Sequence, residues 1–233
     1  NHYKVDAVPH IICGGFNKEE TENALIDLNF LGIDNVLVLQ GDVRKPDRDF
    51  VPEPGGHTYA SELLEQVVQM NQGIYLDDEI DNATSSDFCI GVAAYPEKHV
   101  TAPNMETDLR HLKEKVDKGA DYIVTQMFFD NQKFFDFVKR CREMGITIPI
   151  VPGLKPITTK RQCTLLPQMF HIDLPEALSS ELEKCKDNEA ARQVGIEWAV
   201  QQSKELVEFG VPTLHYYSMG KSKSVYEVAK EVF

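Results

Sequence analysis

Several familiar chemical signatures are missing from this chain. It has no GxGxxG, no HExxH, no GxSxG and no CxxC pair. Those absences take away the Rossmann fingerprint, the zincin site, the hydrolase elbow and the common zinc motifs. Gly220-Lys221-Ser222 resembles the end of a phosphate-binding loop, but His215 stands where that loop requires its first glycine. Basic residues are scarce: 24 Lys plus Arg face 37 Asp plus Glu, a formal charge of −13. That balance argues against broad binding to nucleic acid or to an anionic membrane. It leaves room for a small anionic ligand in a local pocket. No apolar run reaches membrane-spanning length. The five cysteines (Cys13, Cys89, Cys141, Cys163 and Cys185) are odd in number and fit reduced thiols. A cytoplasmic protein with one domain over residues 1–233 is the expectation.

What is present is a repeat of buried strands and amphipathic helices. Six short apolar runs read as strands: Val8–Cys13, Asn35–Gln40, Phe88–Ala94, Tyr122–Gln126, Ile148–Val151 and Thr213–Tyr217. They are nearly continuous rather than alternating, as in parallel sheets covered on both faces. Helical patterns fill Asn17–Leu31, Thr58–Asn71, Glu106–Lys118, Asn131–Met144 and Glu189–Phe209. Gly32, Gly119, Gly145 and Gly210 each stand between a helix and the next strand. A glycine ends a helix in the left-handed conformation at little steric cost. Four such units predict a β/α repeat protein. Gln72–Asp87 is read as an exposed acidic excursion, and Leu174–Asn188 as a charged helical insertion.

Polar residues collect where the strands end. They are His10, Gln40-Gly41-Asp42, Tyr95 to His99, Gln126 to Asp130, Pro152-Gly153 and His215 to Lys221. Ligands of parallel β/α folds sit at the carboxyl ends of the strands. Many polar strand ends with no metal motif suit an enzyme with an organic cofactor. Asp108, His111 and Lys115 share one helix face. They form either a polar wall beside the Tyr95–His99 loop or an ordinary solvated face.

A set of motifs runs in order through the chain: Pro9-His10, Leu39-Gln40-Gly41-Asp42, Tyr59-Ala60, Ala93 to His99, Lys113 to Ala120, Thr125 to Asp130 and Pro152 to Pro156. With these the chain resembles the methylenetetrahydrofolate reductase family in its short bacterial form. The resemblance implies a (β/α)8 TIM barrel, here lacking about the first two β/α units. It implies FAD as cofactor, with NADH or NADPH as reductant. The implied reaction is ping-pong: hydride passes through FAD and reduces 5,10-methylenetetrahydrofolate to 5-methyltetrahydrofolate, which supplies methyl groups for methionine synthesis.

By motif position, His10, Gln40, Gly41, Asp42, Ala60, Tyr95, His99, Ala102, Asp108, His111 and Lys115 would contact FAD. Asp42 would also act in catalysis, its fixed carboxylate favouring a cationic iminium form of the substrate. Asp42, Gln126, Gln162 and Lys221 would contact substrates, with Gln126 offering a planar amide to pterin and nicotinamide in turn.

The chain also departs from the family pattern. Glu114 stands at a position often basic, Gln40 and Lys221 where arginine is common, and Leu166 where an aromatic is common. The family's general-acid glutamate lies on a unit before the strand bearing His10, so the chain by itself is expected to be inactive. Glu97 is therefore not expected to be the proton donor. A partner copy is expected, and the apolar helices Phe134–Met144 and Ile196–Val207 would face either that copy or the barrel itself. Two other readings stand beside this one. One is a barrel lyase or aldolase forming an imine through Lys221 or Lys155, and the other is a non-catalytic barrel fragment.

Overall fold

The computed structural model describes residues 5–41 and 50–233. The elements alternate along most of the chain. In order they are β1 (His10–Ile12), α1 (Lys18–Phe30), β2 (Asn35–Leu39), α2 (Ala60–Asn71), β3 (Cys89–Ala94), α3 (Met105–Asp117), β4 (Tyr122–Met127), α4 (Asn131–Glu143), β5 (Ile150–Leu154), α5 (Gln162–Phe170), α6 (Glu176–Lys184), α7 (Asn188–Phe209), β6 (His215–Tyr216) and α8 (Ser222–Val232). Strand order in the sheet follows chain order. β1 pairs with β2, β2 with β3, and β5 with β6, all parallel. The architecture is α/β, with a parallel sheet and helical connections. Among the described residues, no helix is long and apolar enough to cross a membrane.

The chain divides into two compact units, residues 1–93 with 110–123, and residues 94–109 with 124–233. In the first, Val36, Val38, Leu63, Leu64, Val67, Ile90 and Val92 are fully buried. In the second, Met127, Phe129, Ile157, Leu166, Leu178 and Leu182 form one buried cluster. Leu166 lies within that cluster.

Local signals explain the helix ends. Asn17 caps α1: its side chain accepts from the Glu20 N–H, while the Glu20 carboxylate accepts from the Asn17 N–H, each at 2.9 Å. Asp130 accepts from the Gln132 N–H and Asp187 from the Ala190 N–H, both at 2.9 Å. The four punctuating glycines all take positive φ: Gly32 70°, Gly119 115°, Gly145 76° and Gly210 89°.

The excursion after α2 carries no helix or strand and is mostly exposed, as expected. Asn71 fixes its return. It donates to the Phe88 carbonyl and accepts from the Phe88 N–H and the Ser86 hydroxyl. Glu22 holds the outgoing strand of chain by accepting from the Leu76 N–H at 2.8 Å.

Four elements differ from the sequence expectation. β1 is exposed at His10 and Ile12 rather than covered on both faces. β5 runs through Pro152-Gly153 instead of ending before them. α5 has Pro167 inside it, which breaks the helical sequence pattern. α8 lies where no helix was expected, although Val225, Val228 and Val232 are spaced for one.

Gly91 and Gly153 show why glycine stands inside two strands. A Cβ at Gly91 would fall within the Tyr122 ring. The ring crosses β3 there, and its hydroxyl donates to the Val36 carbonyl on β2 at 3.2 Å. Burial, with smaller contributions from Cys89 and Asp121, pushes the phenol up to about 12, so it stays a donor. Gly153 repeats the device. A Cβ there would meet the Tyr217 ring and the Thr125 carbonyl, and the Tyr217 hydroxyl donates to that carbonyl at 3.0 Å.

Gly91→Ala is therefore expected to destabilise the protein by about 2–3 kcal/mol, the range of a core overpacking. Tyr122→Ala should cost stability on its own. The double variant should be markedly less destabilised than the two single effects added together. Urea unfolding of the four proteins checks this, and simple additivity would rule out the crossing ring as the cause.

Candidate functional site

The second unit brings four expected residues together beyond the carboxyl end of β3. After Tyr95 and the buried Pro96, the chain turns back on itself. The Lys98 N–H donates to the Tyr95 carbonyl at 3.1 Å, and Lys98 takes φ 80°. A left-handed lysine is strained, and its own ammonium helps to hold the turn. Nζ donates to the carbonyls of His99 at 3.0 Å and Ala102 at 2.6 Å.

The turn sets His99 against Tyr95, with ring centroids 4.5 Å apart and planes at 72°. The Asp108 carboxylate, in the first turn of α3, accepts the His99 backbone N–H at 2.8 Å. The Thr101 N–H points at His99 Nδ1 at 3.2 Å, so Nδ1 must accept and Nε2 carries the hydrogen. Ala102 is buried beneath this loop. The arrangement presents a phenol and an imidazole N–H donor from a loop tied down by main-chain bonds.

Glu97 has a different task. Its Oε2 accepts the Asp173 N–H at 2.9 Å, and its Oε1 lies 2.8 Å from Lys133 Nζ. Lys133 also pairs with Asp173. Burial works against the Lys133 charge, but bonds to Asp173 and Glu97 outweigh it and hold the ammonium above its usual range. The clip fastens the Tyr95–His99 turn to the start of α4 and to the segment before α6.

The two expected substrate glutamines are also engaged locally. Gln126 folds back so that its side-chain oxygen accepts the Met127 N–H at 2.9 Å. The Gln162 oxygen accepts the N–H groups of Thr158 at 2.7 Å and Thr159 at 3.3 Å. Each amide thus has its oxygen held on the main chain and its NH2 left to offer a ligand. Lys221 is exposed at the cap position of α8.

In the first unit, His10 is exposed on β1. Gln40 leaves β2 and donates to the Thr58 carbonyl at 2.8 Å, tying the strand exit to the start of α2, where Ala60 is the first residue. Gly41 takes φ 92°, a conformation that side chains disfavour. Asp42 lies outside the described residues. On α3, His111 is exposed, while Lys115 Nζ donates to the Ala93 carbonyl at 2.7 Å.

One pair in this unit was not foreseen. His57 is buried, with Nε2 2.6 Å from Gln66 Oε1. The Gln66 NH2 donates to the Lys18 carbonyl, which fixes its oxygen toward the imidazole. His57 Nε2 must therefore be the donor. No periodicity marks such a pair, because its members join a loop to a helix. Glu62 caps the same loop; the Thr58 N–H chiefly holds its carboxyl below the usual range, burial works against it, and the Tyr59 N–H adds a smaller lowering effect.

The model of the family described as methylenetetrahydrofolate reductase matches residues 1–232. The chain belongs to this family. A Zea mays protein named methylenetetrahydrofolate reductase (NADH) 1 is 36% identical over 230 residues, covering 94% of this chain and 37% of that protein. A Caenorhabditis elegans protein named as a probable methylenetetrahydrofolate reductase (NADPH) is 31% identical, covering 98% of this chain and 32% of its own length. The 5,10-methylenetetrahydrofolate reductase of Salmonella typhimurium is 30% identical, covering 96% of this chain and 69% of its own length. The chain thus spans roughly a third of the length of the plant and nematode relatives. Family membership gives the strand-end residues a common context, because the matched region includes every one of them.

Two tests follow from the side-chain arrangement. Glu97→Gln removes the charge partner of a partly exposed lysine and should cost about 1 kcal/mol. That corresponds to a melting temperature lower by roughly 2–4 °C, and an unchanged melt would contradict a structural clip. Burial pushes the Cys13 and Cys141 thiols up to about 12, so both should resist alkylation at pH 8 until the protein unfolds. The exposed Cys89 should react first, as peptide mass mapping would reveal.

Proposed function

We propose that this protein is an FAD-dependent reductase that converts 5,10-methylenetetrahydrofolate to 5-methyltetrahydrofolate with a reduced nicotinamide nucleotide. The observation that carries this reading is the family match over residues 1–232. The chain would be the larger part of a (β/α)8 barrel short of about two β/α units, and the six parallel-type β/α strands support that reading. The setting is folate one-carbon metabolism in the cytoplasm, feeding methionine synthesis.

The residues fit a flavin in kind. Tyr95 offers a phenol, His99 an imidazole N–H, and both are held by a loop closed with main-chain bonds. Buried Ala102 keeps the loop floor small. In this reading Tyr95, His99 and Ala102 contact the cofactor, and Asp108 positions His99 through its backbone N–H. His10, Gln40, Gly41, Ala60, His111 and Lys115 are assigned by motif position alone. A bound flavin supplies reversible hydride transfer. The protein's share is to orient the reactants and exclude water.

The NH2 groups of Gln126 and Gln162 would donate to ring oxygens or nitrogens of substrate. Their oxygens are already held by the main chain, which fixes the direction of the amides. Lys221 is exposed and suits a carboxylate at the outer end of a folate. Asp42 would place a negative charge near the reacting carbon, favouring a cationic form of the substrate.

The test uses the protein at the full length its gene encodes. Purified protein reconstituted with FAD should be yellow and should oxidise NADH or NADPH in the presence of a folate or quinone acceptor. Protein that takes up no flavin would dispose of the reading. Asp42→Asn should slow the folate half-reaction at least about tenfold while changing flavin reduction much less. Equal effects on both halves, measured by stopped flow, would reduce Asp42 to a flavin-packing role.

A further inference from the structure

Lys155 follows β5 by one residue, at the end of the strand where ligands of parallel β/α folds bind. The residue is 6% exposed. Among the described residues, its Nζ has one hydrogen-bond partner, the Tyr217 carbonyl at 3.4 Å. That is long for a lysine hydrogen bond. None of the ion pairs among the described residues includes it. An ammonium has three N–H donors, and one long contact leaves them poorly met.

The surroundings give the amine little reason to be there for stability. Tyr217 is fixed by its crossing of Gly153 and its bond to Thr125. Residues 150–157 are all buried. A leucine or methionine would fill the same space without placing a charged group out of water, and such replacements are often neutral or stabilising. Burial alone pulls the Lys155 amine below the usual lysine range. A nearby negative charge would reverse that effect.

We propose that Lys155 is a ligand-binding residue that takes an anionic oxygen at the carboxyl end of β5. The ligand is an organic anion with a carboxylate arm narrow enough to reach a buried amine, and its oxygen supplies the acceptor that the fold does not. The proposal rests on the reductase reading only for the choice of first probe, 5-methyltetrahydrofolate.

The experiment compares full-chain wild type with Lys155→Met and Lys155→Gln. Without ligand, Lys155→Met should melt at or above the wild-type temperature, because a buried charge has been replaced by apolar volume. Calorimetric binding of 5-methyltetrahydrofolate should weaken at least about tenfold in both variants, as expected for losing a charged hydrogen bond. Equal affinity in variant and wild type would overturn the proposal. So would a Lys155→Met protein that melts several degrees lower, which would give the amine a partner within the protein.

If wild type itself fails to bind the folate, the reductase reading falls and a second probe decides Lys155. Lysines are then reductively methylated with carbon-13 and titrated with malonate. A saturable shift of the Lys155 signal supports the proposal, and no shift ends it.

Discussion

Two tyrosine rings that cross a strand at glycine hold the sheet in register, once in each compact unit. In each case the middle strand gives up its side chain, the following strand sends a ring across, and the hydroxyl reaches a carbonyl on the strand before. Tyr122, Gly91 and Val36 form one set, and Tyr217, Gly153 and Thr125 the other. A parallel sheet slipped by one residue turns its side chains to the opposite face. The ring then has no gap to enter, so the crossing penalises slippage in a way that apolar contacts alone do not. Because Tyr217 also accepts from Lys155, the same lock fixes the floor beneath that buried amine.

A second theme is that the polar residues at the strand ends are bound to the main chain before any ligand arrives. Gln40 holds Thr58, Gln126 its neighbour Met127, Gln162 the turn at Thr158, Asp108 the His99 N–H, and Lys115 the Ala93 carbonyl. Each contact gives a backbone group near a strand or loop end a side-chain partner. It also fixes the orientation of the side chain that made it. Structural and functional duties are thus combined in single residues. Lys155 is the contrast, with one long bond and deep burial.

Much of the fold was legible in the sequence. The glycines before β2, β4, β5 and β6 marked the helix ends, because that signal acts within a few residues. β5 was read too short because Pro152-Gly153 looks like a turn. The glycine is there to admit a ring from sixty-odd residues away, a requirement that no local pattern carries. α5 was hidden by Pro167. At the site, the Tyr95–His99 turn was recognisable as a cluster. The role of Glu97 was not, since its partners Lys133 and Asp173 come from distant segments.

The sequence by itself determined the β/α repeat, the helix caps and the family, since periodicity, capping and motif order are properties of neighbouring residues. Only the tertiary structure decided which polar groups are structural and which are left to act. A carboxylate or an amine takes its task from the partners that folding brings to it. Glu97 met a lysine and became a clip, and Lys155 met one distant carbonyl and kept its donors.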